Sequence, residues 1–131
     1  MNSREPLIYL ASPYTHPNPL VQEIRAQQAA AAAAALKRMG LHVFAPIPHG
    51  HALAKYGLPG DYRFWKAFSR NMLSRCDIML VLMIDGYDTS AGIKDEVDYF
   101  VDIQHGIHYY AGLDDILNHT LPKAFKNFVG L

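Results

Sequence analysis

Cys76 to Glu96, CDIMLVLMIDGYDTSAGIKDE, constrains the fold more than any other stretch of the chain. An apolar run, Ile78 to Ile84, stands between Asp77 and the pair Asp85-Gly86. A short apolar run bounded by turn residues reads as a strand buried on both faces. Small and acidic residues from Asp85 to Gly92 make a loop, after which Val97, Phe100 and Val101 fall at the i, i+3, i+4 spacing of a core-facing helix. In a parallel α/β sheet, ligands bind beyond the carboxyl ends of the strands, against the N-termini of the helices that follow. Glu96 is expected in about the first turn of this helix, where the dipole favours its ionised form. A carboxylate held there suits a nucleophile better than a proton donor. Acidic residues also occupy first turns merely to stabilise them, and Ser90 could be only an N-cap. Taken alone, the stretch leaves both readings open.

The remaining chain alternates in the same way. Leu7 to Ala11 reads as a first strand, and Ser12 to Pro19, with Pro13, Pro17 and Pro19, as its carboxyl-end loop. Leu20 to Met39 reads as a long helix with Leu20, Ile24, Ala31, Ala35 and Met39 along one face, ended by Gly40. Its run Ala29 to Ala35 combines high helix propensity with close packing on a sheet. Leu41 to Ala45 gives a second strand, Pro46 to Gly60 a proline-rich loop, and Asp61 to Arg75 a helix carrying Phe64, Trp65 and Phe68. Gly106 to Tyr110 is a candidate fourth strand. Leu113 to His119 and Leu121 to Phe128 are candidate closing helices, with Pro122 in a first turn. Alternating strands and helices imply a parallel sheet covered on both faces by right-handed crossovers. The expected fold is α/β: a single flavodoxin-like three-layer sandwich over residues 1–131 with a 4–5-stranded parallel sheet.

Composition narrows the function classes. Lys plus Arg and Asp plus Glu each number 12 in 131 residues, which gives no basic excess for a nucleic-acid polymer or an anionic membrane. No apolar stretch approaches the roughly 20 residues of a membrane span. The opening MNSREP lacks the apolar core of a secretory leader. The single Cys76 excludes an intrachain disulfide and, beside a buried strand, reads as packing. The cytoplasm is the expected compartment.

Three loops, Ser12 to Pro19, Pro46 to Gly60 and Asp85 to Gly92, should meet at one sheet edge. They bring together Tyr9, Tyr14, His16, His49, His51, Asp61, Asp85, Asp88, Ser90 and Glu96, an inventory suited to a flat, polar small molecule. Glycine-rich dinucleotide, P-loop and nucleophile-elbow motifs are missing. His49 and His51 flank a glycine without a ligand-spaced cysteine or carboxylate, so they read as pocket or loop histidines before metal ligands. His42 reads as structural and Phe64 and Trp65 as core or subunit contact; Arg25, near the start of the long helix, could reach an anion but reads first as part of a solvated helix face. No metal or cofactor is expected.

With these pieces in order, the chain resembles the nucleoside 2-deoxyribosyltransferase-like superfamily, closest to a small, poorly characterised branch. The resemblance rests on IYLASPYTH (Ile8 to His16), VFAPIPHGHAL (Val43 to Leu53) and Cys76 to Glu96, with the S-x-G-x-x-x-E ending Ser90, Gly92 and Glu96 the most specific. It implies cleavage of an N-glycosidic bond, with Glu96 attacking the anomeric carbon to give a glycosyl-enzyme that water or a second base resolves. It implies that Tyr9 orients Glu96 and that Ser90 contacts a 5′-phosphate. Ser12, Tyr14, His49, His51, Asp85, Asp88 and Gly92 would join Ser90 around a nucleoside or nucleotide, in a homodimer or higher homo-oligomer. At the position of the family aspartate that assists base departure this chain has Ser69. Asp61, Asp85, Asp88 or a histidine could take its place. A nucleotide-binding module without catalysis is the alternative, and a phosphohydrolase on the same scaffold a further one.

Overall fold

The computed structural model describes residues 5–131; residues 1–4 of the MNSREP opening lie outside the described part. Four strands, β1 (Leu7–Ala11), β2 (His42–Phe44), β3 (Ile78–Leu82) and β4 (His108–Ala111), form one parallel sheet in the order β2-β1-β3-β4. The register places Ile8 beside Val43 and Ile78, and Leu80 beside Tyr109. Six helices cover it: α1 (Pro19–Arg38), α2 (Pro46–Ala54), α3 (Tyr62–Leu73), α4 (Ala91–Asp102), α5 (Leu113–Leu117) and α6 (Lys123–Val129). The expected α/β sandwich with a parallel sheet is what forms.

The period-2 alternation of a strand explains the layers. Ile8 and Leu10 of β1, with Ile78, Leu80 and Leu82 of β3, pack against the alanines of α1 and against Ile116 and Phe125. Tyr9, Ala11, Met79 and Val81 point the other way, into Leu73 of α3 and Ile93 and Phe100 of α4. Tyr9 is therefore aimed at α4 by strand register alone.

Three expectations need correction. The buried face of α1 is Arg25, Ala26, Ala29, Ala32, Ala35 and Leu36, whereas Leu20 and Ile24 are 64% and 45% exposed. A polyalanine helix has little amphipathic pattern to orient it. The small side chains that let the helix sit close to the sheet select the face instead. Second, Pro46 to Ala54 is a helix and not a loop. Pro46 and Pro48 occupy its first turn, where the N–H groups they lack have no intrahelical acceptor. Third, Pro122 is the N-cap of α6, one residue before its first turn.

β1 leads through α1 to β2 on one side, and β3 lies on the other side of β1. The loops leaving β1 and β3 thus diverge at a switch point of the sheet, the place where such folds open a crevice.

Candidate active site

A cavity of about 500 Å³ lies at that switch point, a volume suited to a small organic ligand. Its wall takes Ser12 to His16 from the loop after β1, Pro46, Ile47, Gly50 and His51 from α2, and Gly60 to Tyr62, Trp65, Phe68 and Ser69 from the α3 region. Gly86 and Thr89 to Gly92 complete it with Arg25 and Glu96. All three expected loops contribute.

Glu96 is 5% exposed and borders the cavity. The Tyr9 phenol, fully buried behind it, donates to Glu96 Oε2. With α4 beginning at Ala91, Glu96 is the sixth residue of the helix and lies in its second turn, not in the first as expected. The dipole effect is concentrated in the first turn, and burial dominates. Desolvation raises the Glu96 pKa to about 7, the Tyr9 hydrogen bond lowers it and the neighbouring Asp95 charge raises it. Near neutrality this carboxyl group therefore titrates, and it can serve as carboxylate or acid within a narrow pH range.

Asp95 fixes the helix that carries it. Arg70 Nη2 donates to Asp95 Oδ1 at 2.8 Å and Tyr62 Oη to Oδ2 at 2.8 Å, tying α3 to the start of α4. Burial pushes Asp95 up, but Arg70 and Tyr62 outweigh it and leave the carboxyl below its ordinary value. A Cβ on Gly92 would approach Tyr62 Cδ1 to 3.3 Å, so the glycine admits the tyrosine ring to the cavity wall. Burial, first, and the Glu96 charge raise the Tyr62 pKa and keep its phenol protonated.

The opposite polar corner is built around Arg25. Its side chain is 9% exposed and donates from Nη1 to the Thr15 carbonyl at 2.9 Å, while Nη2 stands 3.7 Å from the exposed Asp85. Arg25 Nε and the buried Ser12 Oγ have no hydrogen-bond partner among the described residues. Buried polar groups are ordinarily paired; both residues line the cavity, and these two atoms lie just beneath its surface. Ser90 caps α4: its Oγ accepts from Ile93 N at 3.1 Å, which leaves its own proton available. The first N–H groups of a helix lack intrahelical acceptors. A guanidinium, two hydroxyls and a helix start together suit an anion.

A family model described as a domain of unknown function, DUF1937, matches residues 6–112. The chain belongs to that family. No curated protein matches it. The matched span runs from β1 to the end of β4 and includes every residue of the cavity wall. Only α5 and α6 fall beyond it.

Within this family member, Ser12, Tyr14, His51, Asp61, Ser90, Gly92 and Glu96 border the cavity as expected, with Tyr9 directly behind Glu96. Asp61, the N-cap of α3, makes no side-chain cap bond and sits exposed at the rim. His49, Asp85 and Asp88 are outside the wall. His49 stacks on Phe68 instead, with ring centroids 5.3 Å apart and planes 13° apart. Residues two apart on a helix point about 200° apart, so α2 can turn only one of the two histidines to the cavity. That separation also removes any shared metal, and no group of three or more metal-ligating side chains occurs among the described residues. Asp85 is fully exposed beside Arg25, and Asp88 borders a separate depression with Lys94 and Tyr110.

Trp65, expected in core or subunit contact, forms part of the wall and donates from Nε1 to the Pro59 carbonyl at 2.8 Å. Arg25 was the residue most hidden in the sequence. Its only signal is its place on the row Arg25, Ala29, Ala32, Leu36, the i, i+4, i+7, i+11 face that the helix buries.

Proposed function

We propose that the chain cleaves the N-glycosidic bond of a nucleoside 5′-monophosphate or (deoxy)nucleoside, with Glu96 as nucleophile. The observation that carries the reading is a single one. A buried carboxylate, held by the Tyr9 phenol, borders the same cavity as the Arg25 guanidinium, Ser12 and Ser90. A ligand anchored by a phosphate at Arg25, Ser12 and Ser90 would present its sugar towards the cavity that Glu96 borders, while Trp65 and Phe68 offer aromatic walls for a base.

The chemistry follows from that arrangement. Ionised Glu96 forms a bond to the anomeric carbon as the carbon–nitrogen bond breaks, and the bonding pair leaves with the base. Water then attacks the same carbon and releases Glu96 as carboxylate; a second base in place of water gives transfer. The Tyr9 hydroxyl holds the carboxylate in one orientation and stabilises its charge. Exposed Tyr56, Leu58 and Phe64 near the α2–α3 connection support a homo-oligomer that covers this side.

One observation favours a second reading, a nucleotide-binding module without turnover. Ser69, which borders the cavity, cannot itself act as an acid like the aspartate that the resemblance places there. The experiment that separates the two is incubation of wild type and Glu96→Gln with ribo- and deoxynucleosides and their 5′-monophosphates, with and without an acceptor base. Chromatographic appearance of free base that depends on Glu96 supports cleavage. Nucleotide binding by calorimetry with no base release from any substrate would sink it and leave the binding module.

A further inference from the structure

Serine at position 69 leaves the departing base without the acid that the resemblance expects, yet a second polar array reaches the same cavity. Tyr14 and His51 both border it. Tyr14 Oη lies 2.7 Å from His51 Nδ1, and His51 Nε2 lies 3.1 Å from Glu23 Oε1. The three groups come from the loop after β1, from α2 and from α1, so tertiary structure alone brings them into line. Tyr14 and His51 also meet edge to face, with centroids 5.5 Å apart. His51 is 16% exposed and Glu23 38%. Glu23 is itself held by Gln27 at 3.3 Å and Lys55 at 3.8 Å.

We propose that Tyr14 is the catalytic acid that protonates the departing base, recharged through His51, with Glu23 as the positioning residue for the imidazole. This rests on the glycosidic reading of the cavity and supplies its missing proton. A carboxylate can only accept, so Glu23 assigns a proton to His51 Nε2. When the imidazole is also protonated at Nδ1, it donates to the Tyr14 oxygen and turns the phenolic O–H towards the cavity. As the carbon–nitrogen bond breaks, the base takes the bonding pair and the phenolic proton. The Tyr14 oxygen takes the Nδ1 proton, and His51 is left neutral with Nε2–H still on Glu23. One proton has moved from imidazolium to base, and solvent restores it at the partly exposed histidine. The order carboxylate, imidazole, hydroxyl is that of hydrolase triads, used here to deliver a proton and not to remove one. Burial and then the Glu23 charge hold the Tyr14 phenol above its ordinary pKa, so it keeps the proton it must give.

The test compares wild type, Tyr14→Phe, His51→Gln and Asp61→Asn on two substrates. One is a nucleotide or nucleoside with a natural base, and the other is the same sugar carrying 4-nitrophenolate, which departs without a proton. Tyr14→Phe keeps the ring and its edge contact and removes only the hydroxyl. General-acid catalysis contributes about 10²–10⁴-fold. Tyr14→Phe and His51→Gln should therefore lose about 100-fold or more in kcat on the natural base, and the loss should shrink to about threefold on the nitrophenyl sugar. Equal losses on both substrates would make the pair a packing element and overturn the relay. No loss on either, or the selective loss in Asp61→Asn alone, would overturn it and leave Glu96 cleavage standing. Absence of Glu96-dependent release from every substrate would overturn the glycosidic reading and the relay with it.

Discussion

The Tyr9 phenol on β1 donates to the Glu96 carboxyl on α4, across 87 residues of chain and entirely inside the protein. The contact requires β1 to turn Tyr9 away from α1, and α4 to turn its second-turn carboxylate towards the sheet. The Asp95 bonds to α3 fix that second condition. The pair therefore links sheet register to the ionisation of a single carboxyl group.

Replacing Tyr9 by Phe removes a donor that favours the ionised form of Glu96. The Glu96 pKa should rise further above about 7, and the acid limb of the kcat/KM profile for base release should move to higher pH. A hydrogen bond to a charged group contributes about 1.5–3 kcal/mol, so activity at neutral pH should fall about 10–100-fold. Asp95→Asn removes a charge that pushes Glu96 upward, and its acid limb should move the other way. pH–rate profiles of the two variants check both signs.

Glu96→Gln should abolish turnover and, above neutral pH, stabilise the fold. The folded carboxyl titrates near 7, whereas a glutamate's ordinary value is 4.5. Between these values the native state holds a proton that the unfolded chain has released. Wild-type stability from this group therefore falls as pH rises from about 4.5 to about 7, then levels off. Glutamine removes that cost. The gain should be on the order of 3 kcal/mol at pH 8 and vanish near pH 4, at about 1.4 kcal/mol for each pKa unit. Urea denaturation of both proteins at the two pH values measures it, and a variant destabilised at pH 8 would contradict it.

Gly86 has φ of +94°, and a Cβ built there would collide with Arg25 Nη2. Alanine is strained in this backbone region and must also displace the guanidinium. Gly86→Ala should cost about 1–2 kcal/mol in stability. The same substitution should weaken nucleoside 5′-monophosphate binding more than nucleoside binding. Calorimetric titration with a matched nucleoside and nucleotide, alongside thermal denaturation, separates the two effects.

Much of this was legible in the chain. Ile78 to Leu82 announces a doubly buried strand because nothing polar interrupts it, and the strand–helix alternation fixes a parallel sheet and hence the edge where loops meet. Glu96, Tyr9, Ser12, Tyr14, His51 and Ser90 follow from that edge. The misreadings share a cause: local sequence does not carry the orientation of a helix. Pro46 and Pro48 look like loop residues unless a helix start is placed on them, and without α2 there is no reason to prefer His51 over His49. Polyalanine hides which face of α1 is buried and so hides Arg25. The Glu96 environment is not legible locally, because its pKa is set by desolvation from side chains distant in sequence, not by its distance from the helix start.

Arg25→Gln tests the anion corner directly. The substitution leaves a neutral donor about where Arg25 Nε stands, gives up the Nη1 bond to the Thr15 carbonyl, and removes the charge from the cavity wall. Charge-assisted hydrogen bonds contribute about 1.5–3 kcal/mol. KM for 5′-monophosphates should therefore rise about 10–100-fold, with a change of no more than about threefold for the corresponding nucleosides. The preference should also weaken with salt in wild type less than a surface site would, because Arg25 is buried and screening acts mainly on exposed charges. An equal rise for nucleosides and nucleotides would place Arg25 in packing of the β1 loop and remove the phosphate from the proposed substrate, leaving the Glu96 chemistry to act on nucleosides alone.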